Sequence, residues 1–289
     1  MRATVAGWCL SLFFGAATCM GQEAPPQGPT HAWQSTVYCS GFYTNQKVSD
    51  DLRLVSGEQS EYKITFAARD IVYLSKGANQ GVKPGDRFSV VRESKDPLRV
   101  PFFKWQEKLS NAMGTYYMDL GQLEVIKVQP NIAIAKVAMS CNMMLRGDIV
   151  RPFAERPMGP FKEDSAFDNL APTSGKPVAM VVCGRDTQQM TGKLDTVYVN
   201  LGSSQGVKVG DYFRIFRYQG TRAETIPVEK DYQDRLYGFG SNPKHYSWND
   251  LPREVLGEGI VLNASQNAAT VLVTISRTEI YAGDYVELE

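Results

Sequence analysis

Asp70-Ile-Val-Tyr-Leu-Ser-Lys-Gly-Ala-Asn-Gln-Gly-Val-Lys-Pro-Gly-Asp-Arg-Phe-Ser-Val-Val-Arg92 returns 125 positions later as Asp195-Thr-Val-Tyr-Val-Asn-Leu-Gly-Ser-Ser-Gln-Gly-Val-Lys-Val-Gly-Asp-Tyr-Phe-Arg-Ile-Phe-Arg217. Asp, Val, Tyr, Gly, Gln, Gly, Val, Lys, Gly, Asp, Phe and Arg recur at matched places. A duplicated unit this long sets the architecture before any motif is considered. A second block repeats at an offset of 136: Leu120-Gly121 with Leu256-Gly257, Asn131 with Asn267, Ser140 with Ser276, and Gly147-Asp148 with Gly283-Asp284. The offset grows between the blocks, so the extra length sits in a connection and not in the shared core.

Inside each copy the signals are short strands. Tyr62 to Phe66, Ile71 to Leu74, Arg87 to Val91, Gln122 to Val128 and Ile132 to Val137 are rich in branched and aromatic residues, several alternating with period two. Helical periods are nearly absent. The expected class is all-β: two tandem homologous small β-barrel or sandwich domains behind a signal peptide. The expected boundaries are 1–21 for the signal peptide, 22–30 for a Pro-rich spacer, 31–152 for the first domain, 153–176 for a linker and 177–289 for the second.

The shared core, Gly-x-x-Gln-Gly-Val-Lys-x-Gly-Asp, reads as turn chemistry. Gly77, Gly81 and Gly85 are expected to supply left-handed backbone for two consecutive turns, while Val82 enters the core and Asp86 accepts backbone N–H groups. Gly202, Gly206, Gly210 and Asp211 repeat the arrangement. A phosphate-cradling loop would need a following helix and a Lys-Ser or Lys-Thr pair, and neither follows.

The first residues carry Arg2, an apolar run to Ala17 and then Cys19 and Gly21, the pattern of an export signal cleaved before Gln22. A lipid anchor at Cys19 is the alternative, opposed by Thr18 at a position that favours a smaller residue. No other segment approaches the roughly twenty apolar residues of a spanning helix. The formal charge is +0, with 31 basic and 31 acidic residues. There is no basic stripe to neutralise phosphates, which argues against nucleic acid as a partner. Removing the signal leaves Cys39, Cys141 and Cys183. Cys39 and Cys183 look like equivalent positions near the start of each copy. If the first and last strands of a module are neighbours, Cys39 pairs with Cys141 and Cys183 stays reduced; three buried small hydrophobes is the alternative.

No catalytic, cofactor or metal constellation stands out. His31 and His245 are the only histidines, and neither lies in a nucleophile elbow or a ligand spacing. The connections are richer. Phe102, Phe103, Trp105, Tyr116 and Tyr117 crowd one of them in the first copy, and Tyr232, Tyr237, Phe239, Tyr246 and Trp248 crowd the corresponding one in the second. Such rings suit a protein hot spot or stacking on a sugar; the alternative is that they cap their own barrel.

Val72-Tyr-Leu with Gly77, Gly81-Val-Lys-x-Gly85-Asp86 and the closing Gly147-Asp148-Ile-Val, with their second-copy counterparts, resemble the C-terminal domain of flagellar assembly protein T and related uncharacterised bacterial envelope proteins, some joined to LysM modules. The resemblance covers about a third of each copy. This chain departs from that family in having two copies and no visible companion domain. The resemblance implies a β-rich scaffold exported to the periplasm or outer-membrane periphery of a diderm bacterium. The expected function is that of a non-catalytic assembly or binding module whose partner is an envelope protein or peptidoglycan. A cell-wall glycan hydrolase using Asp231, Asp234 or Asp250 is the weaker alternative, because carboxylates placed only in sequence do not define a site.

Overall fold

A computed structural model describes residues 31–94, 101–156, 160–162, 167–219 and 251–289. The expected signal peptide and spacer, with Cys19, lie outside the described residues. So do Tyr232, Tyr237, Phe239, Tyr246, Trp248, His245 and the three aspartates of the hydrolase reading. The described chain is mostly β. Its first part forms β1 (Phe42–Thr44), β2 (Leu54–Gly57), β3 (Thr65–Phe66), β4 (Ile71–Leu74), β5 (Arg87–Ser94), β6 (Thr115–Val128), β7 (Ala133–Ser140), β8 (Met144–Leu145) and β9 (Ile149–Pro152). The second forms β10 (Val178–Gly184), β11 (Met190–Thr191), β12 (Thr196–Val199), β13 (Tyr212–Arg217), β14 (Glu254–Ala264), β15 (Ala269–Ser276), β16 (Ile280–Tyr281) and β17 (Tyr285–Leu288).

The two sheets share one strand order. β10-β12-β15-β14-β13-β17 closes into a barrel, and β2-β4-β7-β6-β5-β9 follows the same path, with β1 added to the long β6. Val181 N–H donates to the Asp284 carbonyl at 2.8 Å and closes the second barrel; Leu54 N–H donates to the Asp148 carbonyl at 3.0 Å in the same place of the first sheet. Small ribbons, β3 with β8 and β11 with β16, repeat as well. Alternation sets which side chains fill each interior. Leu54, Val72, Leu74, Val90 and Leu123 fill the first, and Val181, Val197, Val199, Phe213, Ile215 and Val273 the second.

The repeated turn has one geometry in both copies. Gln80 Oε1 accepts from Gly77 N–H at 2.9 Å, as Gln205 Oε1 does from Gly202 N–H at 2.9 Å. Asp86 and Asp211 each accept the N–H two residues past a positive-φ glycine, from Lys83 and Lys208 at 2.8 Å. Gly81 and Gly206 have φ of +87° and +89°, and Gly85 and Gly210 follow at +88° and +90°. Gly77 and Gly202 differ from expectation. Their φ values are −135° and −140°, outside the left-handed region. A Cβ there would stand 2.2 Å from the carbonyl oxygen of Gln129 or Ser265, so close approach, not handedness, demands glycine.

Two helices were not legible as period. α1 (Gln34–Tyr38) precedes β1, and α2 (Gln106–Met113) runs through the aromatic connection until Gly114, at φ +102°, ends it. The cysteines are corrected accordingly. Cys39 ends a helix, whereas Cys183 lies on β10, so the two are not equivalent. Cys39 is joined to Cys141, with their Cα atoms 5.3 Å apart, and Cys183 is free and buried.

The described parts of the linker are packed. Phe153 meets Tyr38 at 5.2 Å between ring centroids, and Phe167 and Ala171 pack with Phe216 and Val255. Arg156 reaches Asp119 on β6 through two hydrogen bonds, 3.0 and 3.3 Å, while also donating to the Val37 carbonyl of α1.

Candidate functional site

The aromatic connection of the first copy is a helix laid against the second barrel. Gln106, Ser110 and Met113 recur at helical spacing and are buried. Gln106 is fully buried and uses its whole amide: Nε2 donates to the Val182 carbonyl at 2.7 Å and to Gln189 Oε1 at 3.2 Å, and Oε1 accepts from Phe102 N–H at 2.6 Å. A buried amide left unpaired would be costly, so this satisfaction fixes where α2 docks.

Beside α2, Tyr43, Met113, Tyr116, Val182, Cys183, Tyr198 and Ala268 form one apolar cluster drawn from both sheets. Tyr116 and Tyr198 meet edge to face at 5.3 Å, with their hydroxyls 2.9 Å apart. Tyr198 donates onward to the Ser40 carbonyl at 2.6 Å, and Thr270 Oγ1 donates to the Gly41 carbonyl at 3.2 Å. Val37 of α1 packs with Ile260, Leu262 and Leu272 on the barrel's outer face. Burial pushes the hydroxyls of Tyr43, Tyr116 and Tyr198 well above the ordinary tyrosine value and the Cys183 thiol up to about 12. All four groups are therefore neutral at physiological pH. They join the sheets; nothing in their chemistry is poised to react.

This settles where the candidate rings lie. Phe103, Tyr116 and Tyr117 are buried and are not available to a partner, which corrects the expectation for them. Tyr116 faces the junction, and Tyr117 stacks on Phe42 at 5.5 Å. The rings pack against the second barrel as well as against their own sheet. Phe102 is partly covered, parallel to Tyr281 of the other barrel at 6.2 Å. Trp105 is different. It is 56% exposed at the start of α2, with the ammonium groups of Lys104 and Lys108 at 5.2 and 5.8 Å from its ring.

Lys104 and Lys108 were missed by the sequence reading, although lysines one before and three after a tryptophan are the available signal. Among the described residues no group of three His, Cys, Asp or Glu side chains is placed to hold a metal ion, and no helix is long and apolar enough to cross a membrane. No family model and no curated protein matches the chain.

Proposed function

We propose that this chain is a non-catalytic, exported cell-envelope protein that acts as an assembly or binding module, with Trp105 at the centre of its contact with an envelope protein partner. The exposed indole between two lysines carries this reading. A large ring at the N-terminal end of a docked helix loses little freedom on binding, and tryptophan is enriched at interface hot spots. Lys104 and Lys108 favour a partner surface that offers carboxylates around an apolar recess. The Cys39 to Cys141 bridge supports an oxidising compartment, the setting in which such bonds persist. A flagellar-assembly-like role rests on the resemblance of the turn motifs alone.

Peptidoglycan is the second reading, supported by the same exposed ring, since an indole face stacks on sugars. The lysine ammonium groups near that face favour a protein over a neutral glycan. The test is a photo-crosslinkable residue at position 108, with and without Trp105→Ala, in intact cells and on purified sacculi. A specific envelope-protein adduct that disappears with Trp105→Ala supports the proposal. An adduct unchanged by that substitution contradicts it, and Trp105-dependent retention on protein-free sacculi replaces it with glycan binding.

A further inference from the structure

The outer face of the second barrel receives α2 through a carbonyl, an amide and a ring: Gln106 Nε2 donates to the Val182 carbonyl and to Gln189 Oε1, and Phe102 lies parallel to Tyr281. Ala268 completes this face, in one cluster with Val182 and Met113. Each position has a counterpart in the first sheet. Leu54 and Val181 carbonyls accept the same closing bonds, from Gly147 and Gly283 N–H at 2.7 and 2.8 Å, which matches Val55 with Val182. Both strands shift register there, and both then turn through a positive-φ residue, Gln59 at +58° and Asp186 at +56°. Thr65 pairs with Leu145 as Met190 pairs with Tyr281, so Ile64 matches Gln189 and Leu145 matches Tyr281. The repeat offset of 136 matches Ile132 with Ala268.

The two faces are not equally covered. Val182 and Ala268 are 0% and 2% exposed, whereas Val55 and Ile132 are 42% and 39% exposed, and Ile64 and Leu145 are exposed with them. Four apolar side chains thus stand open on the first sheet at the places where the second takes a helix, the mark of an interaction surface. The likeness is confined to the α2 part of the junction. Where Val37 of α1 packs on Ile260 and Leu272, the first sheet carries Glu124 and Lys136, both exposed and suited to water. An occupant of the first face therefore needs a counterpart of α2 and none of α1. The second unit carries one in its sequence. α2 lies in the connection between β5 and β6, and the matching connection between β13 and β14 includes residues 220–250, with Tyr232, Tyr237, Phe239, Tyr246 and Trp248. A contact that each unit gives to the next does not close on itself; repeated, it passes from one molecule to another.

We propose that the chain self-associates head to tail, with residues 220–250 of one molecule docking on the first sheet of a second copy around Val55, Ile64, Ile132 and Leu145. The contact is independent of Trp105 and of any envelope partner. A photo-crosslinkable residue at position 64 of the full chain, in a mixture of 15N-labelled and unlabelled protein, tests it together with sedimentation velocity. Crosslinked peptides join position 64 to the 220–250 stretch with mixed isotope labels, and the sedimentation coefficient rises with concentration beyond that of a dimer. Val55→Glu puts a charge into the contact and weakens association by about tenfold. Val209→Glu, exposed in the repeated turn of the second barrel, leaves it unchanged. A chain that stays monomeric at every concentration, crosslinks confined to one molecule, crosslinks from position 64 to any other stretch of the second copy, or association unaltered by Val55→Glu would overturn the proposal. Val55 is exposed, so its substitution leaves the fold in place, and the crosslink map of the otherwise unaltered chain decides without it.

Discussion

Tyr116 and Tyr198 stand hydroxyl to hydroxyl, 2.9 Å apart, one on the extended β6 of the first sheet and the other on β12 of the second. Tyr198 also holds the Ser40 carbonyl, which is buried with it. One phenol therefore satisfies two groups contributed by the other half of the molecule.

Tyr198→Phe keeps the ring and leaves the Ser40 carbonyl without that donor. The expected loss is about 1–3 kcal/mol, the penalty of a stranded buried acceptor. Tyr73→Phe, at the matched but partly exposed place in the first sheet, is expected within about 0.5 kcal/mol of wild type. Urea unfolding of the two variants side by side measures the difference.

Those two tyrosines also mark how far sequence carries. They occupy the same position in the repeated block, yet β4 alternates between buried and half-buried while every residue of β12 is buried. The strands, the Asp-capped turns and the shared order follow from local chemistry that each copy writes for itself: alternation, glycine, and an acid three residues beyond a free N–H. What lies on the outer face of a strand depends on a segment from elsewhere in the chain. α2 escaped notice because its buried stripe is Gln106, Ser110 and Met113, which has no apolar period. Rings read as candidate contacts at 103, 116 and 117 carry the same letters whether they meet a partner or the second barrel. Trp105 could be named from sequence, but its exposure could not.

The glycines of the repeated turn separate two requirements. Gly81 has φ +87° with open space where a Cβ would be built, whereas Gly77 would place a Cβ 2.2 Å from the Gln129 carbonyl oxygen. Gly81→Ala is expected to cost about 1–2 kcal/mol, and Gly81→Asn less, because asparagine tolerates left-handed backbone. Gly77→Ala must displace backbone and is expected to cost more than either, with no relief from asparagine. Thermal denaturation of the three variants checks the ranking.

Glu287 gives the fold an acid-sensitive point. Burial pushes its carboxyl up, but Arg253 at 2.6 Å, the Ser174 N–H at 3.3 Å and the charge of Arg214 outweigh that, and the net shift is below the ordinary glutamate value of 4.5. A carboxylate that binds its proton less tightly when folded stabilises the fold fully above its unfolded pKa. That contribution is lost as pH falls through the folded value. Stability should therefore decline below about pH 4.5, and Glu287→Gln should flatten the decline. The same substitution lowers stability at pH 7 by about 3 kcal/mol, because Arg214 and Arg253 lose their shared carboxylate in a buried setting. Urea midpoints between pH 3 and 7 give both readings.

The central claim is that the two sheets are locked together through a buried junction and do not swing on their linker. Cys183 reports on it, because the thiol lies inside the junction cluster, 3.7 Å from the Tyr43 hydroxyl. The decisive measurement is the rate at which iodoacetamide alkylates Cys183 at pH 8 across a urea series, located by peptide mass and compared with unfolding followed by tryptophan fluorescence. A junction that opens only with the fold predicts protection in native buffer and labelling that rises together with the main transition. Rapid labelling of Cys183 in native buffer, with the fluorescence still native, would contradict the account.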